Sequence, residues 1–153
     1  MSTQENKAII RRYVDELNRR NLAIIDELVA DKVVLGSLFR TPDASPVEEV
    51  TREAYKEDIR HRVTASPDYY VTIEEMIAED DQVVLHWTRR WTHRETFLGV
   101  PPTGKEIRET AISIYRIAAG RIVEVRGFWD RADTWQQLGL IPETREILPP
   151  DKA

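Results

Sequence analysis

The sequence contains no cysteine, which removes disulfides, thiolate nucleophiles and cysteine-ligated metals from consideration. Histidine is scarce too. His61, His86 and His93 fall on separate segments without a metal-binding spacing, so no metal is expected. An excess of positive charge is also missing: the formal net charge is -5, and the pairs Arg11-Arg12, Arg19-Arg20 and Arg89-Arg90 are interleaved with carboxylates, which argues against a nucleic-acid partner. Finally, no apolar run is long enough to cross a bilayer. Residues 1–7 carry a helix cap and charges where a signal peptide needs an apolar stretch. No membrane association and a cytoplasmic location are the resulting expectations.

What is present is the balance of a folded domain. Apolar residues make up 41% and charged residues 32% of 153 positions, enough for one hydrophobic core and too little chain for a second domain of similar bulk. The expected domain spans residues 1–142, and the proline-rich end, 143–153, is expected to lie on the surface.

Ser2 or Thr3 can cap a helix in which Ile9, Ile10, Tyr13, Val14 and Leu17 recur at helical spacing up to Asn18. A short helix over 22–29, a strand over 32–39 and turn chemistry over 40–46 follow. The spacing of Val50, Ala54, Tyr55 and Ile59 predicts a helix over 47–63. From Tyr69 the period changes to two, which predicts strands over 69–79, 82–94, 106–118 and 121–129, with tight turns at Asp80-Asp81 and Ala119-Gly120. Asp130 then caps a last helix that runs to Leu138 and stops at Gly139. Helices first and a meander afterwards predict an α+β fold in which a curved antiparallel sheet wraps the N-terminal helices.

On the strand from Gln82, the set Val83, Leu85, Trp87, Arg89, Trp91 and His93 is far more apolar than its alternate, which carries His86. Burying two indoles there removes on the order of 200 Å² each from water, so this face is expected inside. Arg89 must then lie at a rim, pair with a carboxylate or serve a function, because a lone buried charge is costly. On the strand 106–118 alternation does not decide between the face of Glu109, Ala111, Ser113 and Tyr115 and its opposite.

The stretch from Phe97 to Lys105, with Val100-Pro101-Pro102-Thr103-Gly104 at its centre, is followed by Tyr115-Arg116-Ile117, by Gly120 to Glu124, and by Trp129-Asp130 through Gly139. Together with Arg52 to Tyr55, Pro67-Asp68 and Thr92-His93, this set resembles the SnoaL-like polyketide cyclase, or ester cyclase, group of the nuclear transport factor 2-like superfamily. The resemblance runs from the first helix to about Pro142. It implies a cone of three helices and a strongly bent sheet, dimeric through that sheet, with a pocket for a small apolar ligand and no cofactor. In the cyclases an aspartate three residues before the one that begins the last helix is the acid/base, and here that position is Gly127. A histidine of the best-known cyclases falls on Ser113, and the arginine and aspartate of the epoxide-hydrolase relatives fall on Arg89 and on Trp87 or Trp91.

With Gly127 in place of the acid, Glu109 is the remaining inward carboxylate, able to act as a base or to pair with an arginine. Arg89 could stabilise an enolate or be paired structurally. His93 could move protons or brace the Pro-Pro loop. Tyr55, Ile59, Trp87, Trp91, Ser113, Tyr115, Gly127 and Trp129 are the expected ligand contacts, although core packing explains some of the aromatics equally well. Asp58 and His61 share a helical face that is either solvated or at the pocket mouth. Two functions stay open: a cofactor-independent cyclase or isomerase working by acid-base chemistry on a carbonyl-bearing apolar substrate, and a non-catalytic binding protein of the same fold.

Overall fold

The computed structural model describes residues 1–38, 47–97 and 99–142. The turn expected at 40–46 and the tail at 143–153 lie outside the described residues. Helix α1 (Thr3–Asn18) begins at a reciprocal cap: the Glu5 N–H donates to Ser2 Oγ at 3.2 Å, and the Ser2 N–H donates to the Glu5 carboxylate at 2.6 Å. Its apolar stripe buries Ile10, Tyr13, Val14 and Leu17. Helix α2 (Ala23–Leu28) is followed directly by β1 (Val29–Ser37), then β2 (Glu48–Thr51), α3 (Arg52–Thr64), β3 (Tyr70–Glu79), β4 (Gln82–Thr92), β5 (Glu106–Ala118), β6 (Arg121–Trp129) and α4 (Arg131–Leu138).

The six strands form one curved, unclosed sheet in the order β2-β1-β6-β5-β4-β3, wrapped around the N-terminal helices as a cone. The meander β3 to β6 is antiparallel throughout, and its turns are as tight as expected, with Asp80, Ala119 and Gly120 all at positive φ. The antiparallel meander is joined by β1 through one parallel seam to β6, pairing Leu35 with Val125 and Ser37 with Gly127. β2, α3 and the strands β3 to β5 separate those two strands in sequence, and a parallel pair needs such a long connection.

The expected helix over 47–63 needs correction. Residues 48–51 pair with β1, Val50 against Val33, and the helix starts only after Thr51, whose hydroxyl accepts the Ala54 N–H at 3.2 Å. Val50 and Ala54 share a helical spacing, yet strand pairing claims the first and the second is exposed. Similarly, β1 begins at Val29, where it meets Ile122, and β4 ends at Thr92, before His93. The last strands and α4 start and stop where alternation and capping place them.

Two hydrophobic clusters result. The larger joins Ile10, Tyr13, Val14 and Leu17 of α1 to Ile25, Val33, Tyr55, Val83, Leu85, Tyr115 and Ile122. The smaller, built on Trp91, Ile107 and Leu138, takes in Tyr69 and Phe97. Between them on the concave side run two rows of the sheet, Trp87–Ala111–Trp129 and Leu85–Ser113–Gly127.

Candidate active site on the concave wall

The inward face of β4 is the one alternation selects: Val83, Leu85, Trp91 and His93 are buried, while Arg90 on the other face is exposed. Pairing in register carries the same choice to β5, where Ile107, Glu109, Ala111, Ser113 and Tyr115 are buried. Arg89 and Glu109 are opposite partners in that register and form a salt bridge. Arg89 Nε donates to Glu109 Oε2 at 2.6 Å, and the Trp91 indole N–H donates to the same oxygen at 2.9 Å. Thr134 Oγ1, on α4, donates to Oε1 at 3.0 Å. The Glu109 side chain has no exposed surface, whereas that of Arg89 keeps 12%. The guanidinium also lies 5.7 Å from the ring centres of both Tyr69 and Trp87. Burial works against the charge on Arg89, but Tyr69 and the Glu109 carboxylate outweigh it and hold the pKa above its ordinary value.

Ser113 sits one step deeper and accepts the Trp87 indole N–H at 2.9 Å. Opposite it is Gly127. A Cβ built there would meet Ser113 Oγ at 3.7 Å and the Ile112 carbonyl at 4.0 Å, both ordinary contacts, so the wall has room for a small side chain at this point. Trp129, beyond it, has Arg131 over its ring at 4.6 Å and a buried indole N–H with no acceptor among the described residues.

Tyr55 and Tyr115 meet a third phenol that sequence reading placed only in the apolar stripe of α1. Tyr13 and Tyr55 hydroxyls are 2.7 Å apart, and the Tyr13 and Tyr115 rings meet edge to face at 6.2 Å. Burial raises the pKa of all three, Tyr13 and Tyr115 well above the ordinary phenol value and Tyr55 to about 12. These side chains are therefore neutral donors near neutral pH. Tyr13 and Thr134 are the members that sequence missed; each was legible as an element residue, but nothing local signals a hydroxyl contact across the fold.

His93 stands apart from this group. Its Nδ1 accepts the Thr103 N–H at 3.2 Å, which puts the ring proton on Nε2. Its main chain pairs with Gly104 and Lys105, and its ring meets Trp91 edge to face at 5.7 Å, so the residue braces the start of the Pro-Pro loop against the wall that carries Glu109. Ile59 lies at the half-buried margin of the larger cluster. Asp58 pairs with Arg62 at 2.9 Å on the exposed face of α3, with His61 also exposed. Among the described residues no group of side chains could hold a metal ion, and no helix is long and apolar enough to cross a membrane.

The model of SnoaL-like polyketide cyclases matches residues 7–138. The chain belongs to the SnoaL-like polyketide cyclase family. A SnoaL-like relative from Acidithiobacillus ferrooxidans, provisionally described as a polyketide cyclase, is 28% identical with a TM-score of 0.75 over 91% of this chain and 98% of its own. IdmH from Streptomyces antibioticus, given the same provisional description, is 26% identical, with a TM-score of 0.73 over 88% of this chain and 98% of its own. AclR from Streptomyces galilaeus, provisionally described as a hydroxylase, is 25% identical with a TM-score of 0.79 over 95% and 92%. No protein of curated function matches the sequence.

Proposed function

We propose that the protein is a cofactor-independent enzyme of the cyclase or isomerase type, acting on a small apolar, carbonyl-bearing molecule held between the two hydrophobic clusters. The observation that carries this reading is Arg89: a guanidinium fixed on an aromatic wall by a sealed carboxylate, with part of its own surface left open. A cation so placed lowers the energy of an enolate oxygen as charge develops on it, and it needs no reorganisation at that moment. Glu109 is the positioning residue of this arrangement, since its oxygens are taken up by Arg89, Trp91 and Thr134 and none of its surface is exposed. Enolate stabilisation then makes the α-proton of a ketone acidic enough for a weak base such as water to remove it.

A non-catalytic binding role is the second reading, and the surroundings of Gly127 favour it, because Ser113 rather than a carboxylate is the nearest side chain. Exchange of the α-protons of 2-tetralone in D2O, followed by NMR, separates the two. The enzyme reading expects the protein to accelerate exchange, and Arg89→Met to lower that acceleration on the order of a hundredfold. Glu109→Gln is expected to lower it as well, through loss of orientation. Retention of the ketone without any acceleration would leave the binding role. The protein is further proposed to reside in the cytoplasm and to pair with a second copy through the convex face of the sheet.

A further inference from the structure

The hydroxyls of Tyr13 and Tyr55 come from α1 and α3 and meet at 2.7 Å, buried from solvent. Two phenols carry two protons, and the bond between them uses one. The other O–H has no acceptor among the described residues, although a buried donor left without one costs as much as a lost hydrogen bond. The neighbours do not supply an acceptor. Among the described residues neither hydroxyl bonds to Ser113, whose Oγ accepts the Trp87 indole N–H, and Arg89 offers only donors. Tyr69 and Tyr115 interact electrostatically with the pair, so phenols from four separate segments converge on one region of the concave side.

Charge narrows what can satisfy the spare proton. Arg89 is held by Glu109, Arg20 donates to the main-chain carbonyls of Ser66, Pro67 and Tyr69, and the phenols are neutral, so the pair itself offers no charge. A carboxylate brought here would be buried without a partner, whereas a ketone or quinone oxygen accepts a hydrogen bond at no such penalty. We propose that the free O–H of the Tyr13–Tyr55 pair anchors a neutral carbonyl oxygen of the ligand, making the pair a subsite that selects ketones over hydrocarbons and over carboxylates of the same shape. This rests on the reading that the ligand lies between the clusters, and in a monoketone it adds a neutral donor for the same oxygen that Arg89 attracts.

Quenching of tryptophan fluorescence by 2-tetralone, tetralin and tetralin-2-carboxylate tests it, since Trp87 and Trp129 line the same wall. The ketone is expected to bind at least about fivefold tighter than the hydrocarbon, the worth of one neutral hydrogen bond, and tighter than the acid. The double change Tyr13→Phe with Tyr55→Phe is expected to erase the preference for ketone over hydrocarbon while tetralin still binds. The carbonyl stretch of bound 2-tetralone gives a reading on the unaltered protein, even if the double variant fails to fold; a shift to lower frequency relative to hexane is expected. A hexane-like stretch, a preference that survives in the folded double variant, or equal binding of the carboxylate would each overturn the subsite. If neither tetralone nor tetralin binds, the interior ligand reading itself fails and takes this one with it.

Discussion

Asp68 is a carboxylate wrapped in donors, which drive its carboxyl pKa well below the usual carboxylate range. Its oxygens accept from the Ser66 hydroxyl, from the Thr92 N–H at 3.0 Å and from Thr92 Oγ1 at 2.6 Å, tying the segment before β3 to the end of β4. A pKa lower in the folded state than unfolded means that this stabilisation is present above the unfolded value of about 3.9 and is lost as pH falls toward the folded one. Asp68→Asn is expected to cost about 1–2 kcal/mol at neutral pH, and urea titrations should show the gap narrowing progressively as pH falls below about 4. At this scale the sequence was legible where chemistry forces a partner. An inward Arg89 demanded a carboxylate, and Glu109 stood in the register to provide one. Thr134 and Tyr13 gave no such warning, because a hydroxyl is equally at home in water and its contact appears only once α4 and α1 are docked.

Edge strands need protection, and β3 obtains it from α1. The Asn18 side chain imitates a neighbouring peptide: its amide donates to the Val71 carbonyl at 2.8 Å, and its oxygen accepts the Val71 N–H at 2.9 Å. At the other end of the helix, the Asn6 amide donates to the Asp80 carbonyl at 3.0 Å. Asn18→Ala removes both bonds to Val71 and uncovers that edge. The midpoint of thermal unfolding is expected to fall by about 2–8 °C, with more light scattering on heating than the unaltered protein shows. Elements whose signals are local were readable without the fold: β5 and β6 by alternation, α4 by its Asp130 and Gly139 caps. The stretch 48–51 was not, since its strand state depends on β1 as a partner far away in sequence.

Across the whole cone, the convex face carries apolar groups in two adjacent rows, Ile77–Val84–Ile114 and His86–Ile112–Phe128. Ile77 is 57% and Ile112 41% exposed, with Arg90 and Arg108 toward one end of the face and Arg116 paired with Glu124 toward the other. An apolar centre with charges of both signs around it is self-complementary, as a two-fold contact requires. Under the proposed pairing, Ile112→Glu is expected to change the sedimentation coefficient from that of a dimer to that of a monomer without lowering the far-ultraviolet helix signal. Alternation told which face would be outward, but not what would lie against it.

The hydrophobic mass of the cone is gathered at its two ends, and the rows carrying Ala111, Ser113 and Gly127 are bracketed by it. Exchanges among small side chains along those middle rows can redraw the contour offered to a guest while both ends stay shut, so descendants of this scaffold can diverge in what they accept without first having to become more stable.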